Sequence, residues 1–264
     1  MLPAHRASPA GGADGSPGLV VELFGLPGVG KSSFAAELLR ASTAQGLRLE
    51  RAGAVIDPGV PGWRRVGRKV VLALGECARR PLRSGIAARA VLRSQDRDIR
   101  RGMPRWLHWL VVQRLLSSAL DGPGVHLFDE GALQALWSIG LRGDVAPILG
   151  RIEGAPGRWA LPHLVVFLDA PLEEIDRRLS ARASRHSRVQ HAADPRSRRA
   201  ELERGAGLAA RILRWWEGGG GERPVVRVDA GPGTSLRHAA SQVIGRIGRA
   251  SDGHAGHVRY GRVP

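Results

Sequence analysis

Residues 25 to 32 read Gly25-Leu26-Pro27-Gly28-Val29-Gly30-Lys31-Ser32, the spacing G-x-x-x-x-G-K-[ST]. Glycines so placed let successive backbone N–H groups turn inward around an anion. A helix that starts at the lysine adds its own N-terminal N–H groups and dipole. The chemistry this predicts is phosphate binding by Gly25, Pro27, Gly28, Val29, Gly30, Lys31, Ser32 and Ser33. Lys31 would reach the β- and γ-phosphates of a nucleotide, and the Ser32 hydroxyl would ligate Mg²⁺. The chain uses 38 arginines and only two lysines, one of them Lys31. Such a composition keeps lysine where a compact ammonium serves better than a planar fork.

Two further groups could do chemistry. An apolar run, Val125-His126-Leu127-Phe128, ends in Asp129-Glu130. A strand-end carboxylate beside a phosphate site can hold the Mg²⁺ water shell or accept a proton from an attacking hydroxyl. Alternation along an extended chain sends the two carboxylates to opposite faces. Asp129 is therefore the candidate for the metal or base, and Glu130 for facing the acceptor or orienting Asp129; a solvated pair is the plainer alternative. Nine arginines fall between 177 and 204. Arg178, Arg182 and Arg185 are spaced about one helical turn apart. Arg182 and Arg185 are the candidates to close over donor phosphates as a lid and supply positive charge, against the alternative of a solvated basic face.

The elements that must position these groups alternate between helix and strand, which predicts an α/β fold with a mostly parallel sheet. Strands are expected at 19–24, near 51–56 (closed by Asp57-Pro58-Gly59), at 125–128, 164–168 and 224–228. Helices are expected at about 31–42, 173–179 and 234–249. Residues 63–121 read as about three helices divided by Gly62, Pro81 and Pro104. Asp129, Asp169 and Asp229 close three strands, at the end of a sheet where ligands bind. Asp169 and Asp229 are read as turn caps. The expected organisation is a disordered tail at 1–17, one domain over 18–250, and a loose tail at 251–264. Within the domain lie an acceptor-side helical insert at 63–121 and a lid region at 177–204.

Composition narrows the partners. One cysteine, Cys77, rules out disulfides within the chain and fits a cytoplasmic setting. No run approaches the roughly 18 apolar residues of a membrane span, and no membrane partner is expected. The net charge of +16 could signal nucleic acid, but four Phe and one Tyr make a poor stacking platform. Arg64, Arg65, Arg68, Arg93, Arg97, Arg100 and Arg101, in the insert, are open candidates for an acceptor phosphate. Trp63, Trp106, Trp109 and Trp137 could pack the core or stack on a base, with core the better reading for most, and His254 with His257 read as tail residues rather than metal ligands.

Taken together, Gly25–Ser32, the Asp129 strand end, Leu168-Asp169-Ala170-Pro171 with its Arg-rich follower, and Val228-Asp229 resemble the nucleoside monophosphate kinase group of P-loop proteins, nearest the thymidylate kinase-like members. The resemblance spans roughly residues 18–250. It implies a three-layer α/β/α P-loop NTPase fold, an Mg²⁺·ATP donor, phosphoryl transfer to a nucleotide, nucleoside or similar small hydroxyl acceptor, and a donor adenine near Ala230-Gly231-Pro232. It departs at Glu130, where thymidylate kinases usually carry an arginine that helps hold phosphates. The partners expected are thus a nucleotide donor and a small-molecule acceptor, with a homodimer left open. The rival reading is a P-loop ATPase or regulatory NTPase using Asp129 and Glu130 as a Walker B pair. A nucleic-acid end-processing kinase and a relative that binds nucleotide without catalysis stand behind it.

Overall fold

The computed structural model describes residues 18–52, 62–181, 195–219 and 223–260. Five strands form one sheet: β1 (Leu19–Phe24), β2 (Leu49–Ala52), β3 (Val125–Phe128), β4 (Leu164–Asp169) and β5 (Val225–Asp229). They lie in the order β2-β3-β1-β4-β5, with every pair parallel. Parallel strands need crossover connections that lay helices on the sheet's faces, so the central strands read as continuous apolar runs. β1, Leu-Val-Val-Glu-Leu-Phe, is buried at all six positions.

Nine helices are seen among the described residues. The chain enters α1 (Lys31–Ala44) after β1. Between β2 and β3 come α2 (Gly62–Arg79), α3 (Pro81–Ser94) and α4 (Ile99–Asp121). α5 (Ala132–Gly140) and α6 (Ala146–Glu153) precede β4, α7 (Leu172–Ala181) and α8 (Pro195–Gly218) precede β5, and α9 (Leu236–Tyr260) closes the chain. α1 packs on α9, while α3, α4, α5 and α6 form a second packed group whose α4 and α5 touch β1. Phe24, Phe34, Phe128, Trp109 and Trp216 are the largest fully buried side chains of the core.

Three expectations change. Pro104 lies inside α4 instead of dividing the insert. It lies two residues after the first bonded amide, Gly102 N–H to Asp98 O, so the helix forgoes one bond, to Arg100 O, in its second turn. The break falls at 95–98, where Asp98 caps α4 by accepting from the Arg101 N–H at 3.2 Å. β2 starts at Leu49, ahead of the expected strand, while residues 53–56 of that strand and Asp57-Pro58-Gly59 lie outside the described residues. α9 runs through Ser251 to Tyr260, because extending a formed helix adds a hydrogen bond for each residue fixed. The tail 1–17 and residues Arg182 and Arg185 also lie outside the described residues.

Candidate active site

All five strands deliver their carboxyl ends to one edge of the sheet, so residues 25–30, 129–131, 170–171 and 230–233 gather there. The 25–30 loop needs its glycines for two reasons. Gly28 has φ +89°, and a Cβ added to it would lie 2.7 Å from Leu179 Cγ of α7. Gly30, the N-cap of α1, has φ +110°, which an L side chain reaches only under strain. α1 has no side-chain cap and no acidic residue in its first turn. Its first intrahelical bond runs from the Phe34 N–H to Gly30 O at 2.9 Å. The Ser32 and Ser33 N–H groups thus precede the helix ladder, at the positive end of the dipole, and both residues are exposed. Lys31 Nζ bridges the loop, donating to Gly25 O at 2.5 Å and Leu26 O at 3.1 Å.

β3 lies beside β1 with Glu22 opposite Phe128. Asp129 is therefore about one strand spacing, ~4.8 Å, from the chain entering the loop. Its Oδ2 accepts from the Arg51 guanidinium, and its Oδ1 is buried without a hydrogen-bond partner. Burial pushes the Asp129 carboxyl above its ordinary value. Arg51 pulls it back, the Glu130 charge pushes it up, and Lys31 lowers it. Glu130 itself is exposed. Asp129, Lys31 and Ser32 thus stand at the same edge of the sheet.

A second carboxylate sits behind the loop. Glu22 is fully buried in β1 and caps α5, its oxygens accepting from the Leu133 N–H at 3.1 Å and the Gln134 N–H at 2.9 Å. Desolvation raises its pKa from 4.5 to about 7 despite those amides. A Cβ on Gly131 would lie 2.4 Å from Glu22 Oε2, so the segment just after Asp129-Glu130 is seated directly on this carboxylate.

Arg178 of α7 makes three bonds at once. It donates to Val29 O in the loop at 2.9 Å, to Ala230 O after β5 at 2.8 Å and to Glu174 Oε1 at 2.6 Å. Arg177 and Arg178 hold Glu174 down at about 2. The segment Ala230-Gly231-Pro232 is thereby tied to the phosphate-binding loop. Asp169 and Asp229, read as turn caps, act as such: each accepts from a backbone N–H just after it, Ala170 at 3.0 Å and Gly231 at 2.7 Å.

The arginine cluster divides. Arg177 pairs with Glu174, Arg198 with Asp176, and Arg199 with Glu173 and Glu203. The Arg198 and Arg199 pairs brace α8 against α7, and the Arg177 pair lies within α7. In the insert, Arg64, Arg68, Arg93, Arg97 and Arg100 lie exposed, and Arg101 pairs with Asp98. The cation beside Asp129 comes from β2 instead. Sequence reasoning missed Arg51 because strand order is not written in local pattern. It passed over Glu22, although a lone carboxylate in an apolar strand is a signal, since Glu is almost never fully buried unless paired. Arg178 was seen in the spacing but not chosen.

The residues fit a magnesium–nucleotide complex. A hydroxyl at Ser32 and a carboxylate at Asp129 are the hard oxygen donors Mg²⁺ takes alongside water and phosphate, and Asp129 Oδ1 is an orphaned acceptor at that place. Among the described residues no cluster of three or more His, Cys, Asp or Glu could hold a metal by protein ligands alone.

Residues 20–202 match the AAA_33 family, described as an AAA domain, over well beyond half of the chain. No curated protein matches the sequence. With the loop, the parallel sheet and the matched span in agreement, the chain belongs to the AAA_33 family, a kinase-like family of P-loop NTPase domains that bind nucleotide.

Proposed function

We propose that this protein is an Mg²⁺·ATP-dependent phosphotransferase acting on a nucleotide, nucleoside or similar small acceptor. The observation that carries the reading is the Asp129–Arg51 pair, set one strand away from Lys31 and its phosphate-binding loop. A hydrolase needs a carboxylate to orient water. A carboxylate with a dedicated arginine beside it suits an acceptor that brings both a nucleophilic oxygen and a negative charge. Arg51 supplies the cation that Glu130 withholds at the next position in the chain, which favours a monophosphate over a neutral alcohol.

In this reading the loop N–H groups and Lys31 hold the β- and γ-phosphates, and Arg178 fixes the loop against the segment after β5. Asp129 aligns the acceptor oxygen and takes its proton where it has one. The new P–O bond forms at the γ-phosphorus as the bond to the bridging oxygen breaks, leaving ADP. Mg²⁺, held by Ser32 and through Asp129, would neutralise charge on the phosphate oxygens. Positioning and charge stabilisation do most of the work in such transfers.

The second reading is acceptor-independent hydrolysis, with exposed Glu130 activating water next to Asp129; the AAA description of the family favours keeping it. ADP release from Mg²⁺·ATP decides between them, measured with no acceptor, with pooled nucleosides and with pooled nucleoside monophosphates, Lys31→Ala serving as blank. Turnover only with an acceptor pool supports transfer. Equal turnover without acceptor, lost in Glu130→Gln, supports hydrolysis.

A further inference from the structure

Among the described residues, α2 packs on α4 and, through Glu76, on α3. Ala73 packs with Leu110 and Val111 of α4 in a small core separate from the main one, flanked by Leu72, Cys77 and Leu107. Its remaining apolar side chains face outward: Trp63 is 72% exposed, Val66 61%, Val71 68% and Leu74 60%. Positions 63, 66, 70 and 74 recur at helical spacing and fall on one stripe. Arg64 and Arg68, both exposed, lie one turn apart beside the exposed Val71, and the Arg64 guanidinium lies 5.1 Å over the Trp63 ring.

The charge around the stripe has one sign. Residues 62–94, which make up α2 and α3, carry nine basic side chains and a single acidic one. That one, Glu76, is buried in an ion pair with Arg83. A two-fold pairing of this face with a second copy would set Arg64 and Arg68 against their own images with no exposed carboxylate on the helix to answer them. Nucleic acid would meet the arginines but offers no apolar surface for Val66, Val71 and Leu74. An apolar ridge bordered by cations and carrying an exposed tryptophan suits the boundary between acyl chains and anionic headgroups.

We infer that the outer face of α2 docks this protein on an anionic lipid surface. No helix among the described residues is long and apolar enough to cross a membrane, so the contact is peripheral. The absence of a spanning run, from which no membrane partner was expected, does not bear on a helix that lies in the interface. Trp63, Val66 and Leu74 enter the headgroup boundary, while Arg64 and Arg68 stay at the level of the lipid phosphates.

The test is flotation of the full chain with vesicles of phosphatidylglycerol and phosphatidylcholine in equal parts, and with phosphatidylcholine alone. The chain should float with the anionic vesicles, not with the neutral ones, and salt should release it. Arg64→Ala and Arg68→Ala should each weaken association about fivefold. The double variant Val66→Asp/Leu74→Asp should abolish it, with an unchanged unfolding midpoint showing that the helix still folds. Failure to float with the anionic vesicles overturns the inference, as does flotation untouched by the α2 variants, which would place the contact elsewhere. A dimer in sedimentation that the double aspartate variant dissociates would assign the stripe to a second copy and overturn it equally.

Discussion

Asp129 carries opposing influences within a few ångströms, and they fix how the site should respond to pH. Burial and the Glu130 charge raise its carboxyl; Arg51 and Lys31 lower it. In the base role proposed for it, Asp129 must be ionised, so activity should fall on the acid side of this pKa. Removing Arg51 removes a lowering influence. The acid limb of the kcat/KM profile of Arg51→Ala should therefore move to higher pH, with KM for a phosphorylated acceptor raised as well. An unmoved limb would uncouple Arg51 from Asp129. Glu22 gives a second titration, read in stability. Its folded pKa of about 7 lies above the ordinary 4.5. Its contribution is fully present below 4.5 and is lost as pH rises through 7, a loss of about 3 kcal/mol. Glu22→Gln cannot ionise, so the stability difference between variant and parent in denaturant titrations should change by about that amount across this window. The test also bears on the site, because Glu22 seats the residues just after Asp129.

At the scale of elements, the helical insert rests on a buried ion pair. Glu76 of α2 meets Arg83 of α3, both nearly inaccessible, and Arg83 also donates to Arg158 O at 3.1 Å. Burial lowers the Arg83 pKa to about 10. Losing one partner of such a pair leaves an unanswered buried charge and costs on the order of 3–5 kcal/mol. Glu76→Gln should lose that much in urea unfolding; a change below about 1 kcal/mol would mean that water reaches the pair. Patterns at this scale were legible where they are local. β1, β3 and β4 could be read from short apolar runs closed by Asp or Gly, and α1 from the loop that precedes it. Pro104 misled because a proline near a helix start costs less than one in its middle, and which of the two it is depends on where Asp98 caps. The outward side of α2 was unreadable because apolar periodicity reports that a helix has an apolar face, not that something covers it. Trp63, one of four tryptophans for most of which core was the better reading, is 72% exposed.

Across the whole molecule, the phosphate-binding half of the site was written in one octapeptide, whereas the other half depends on which strands become neighbours. Arg51 and Asp129 are 78 residues apart in the chain and meet only because β2 pairs with β3. Arg178, bonded to Glu174 within its own helix, also reaches Val29 in the loop after β1 and Ala230 in the turn after β5. One guanidinium thus ties the loop after β1 to the turn after β5, and the nucleotide binding proposed here should tighten the entire fold through it. At a nucleotide concentration about 100 times Kd, binding to the native state alone adds about 2.7 kcal/mol. For a chain of this size that raises Tm by roughly 5–10 °C. Thermal melting with Mg²⁺·ATP should show this rise in the parent chain and none in Lys31→Ala. In Arg178→Ala the starting Tm should be lower and the rise smaller, since the loop and the segment after β5 no longer share a bond. A full rise from the lower baseline would make Arg178 a brace of the apo fold alone, leaving the donor phosphates to the loop and Lys31.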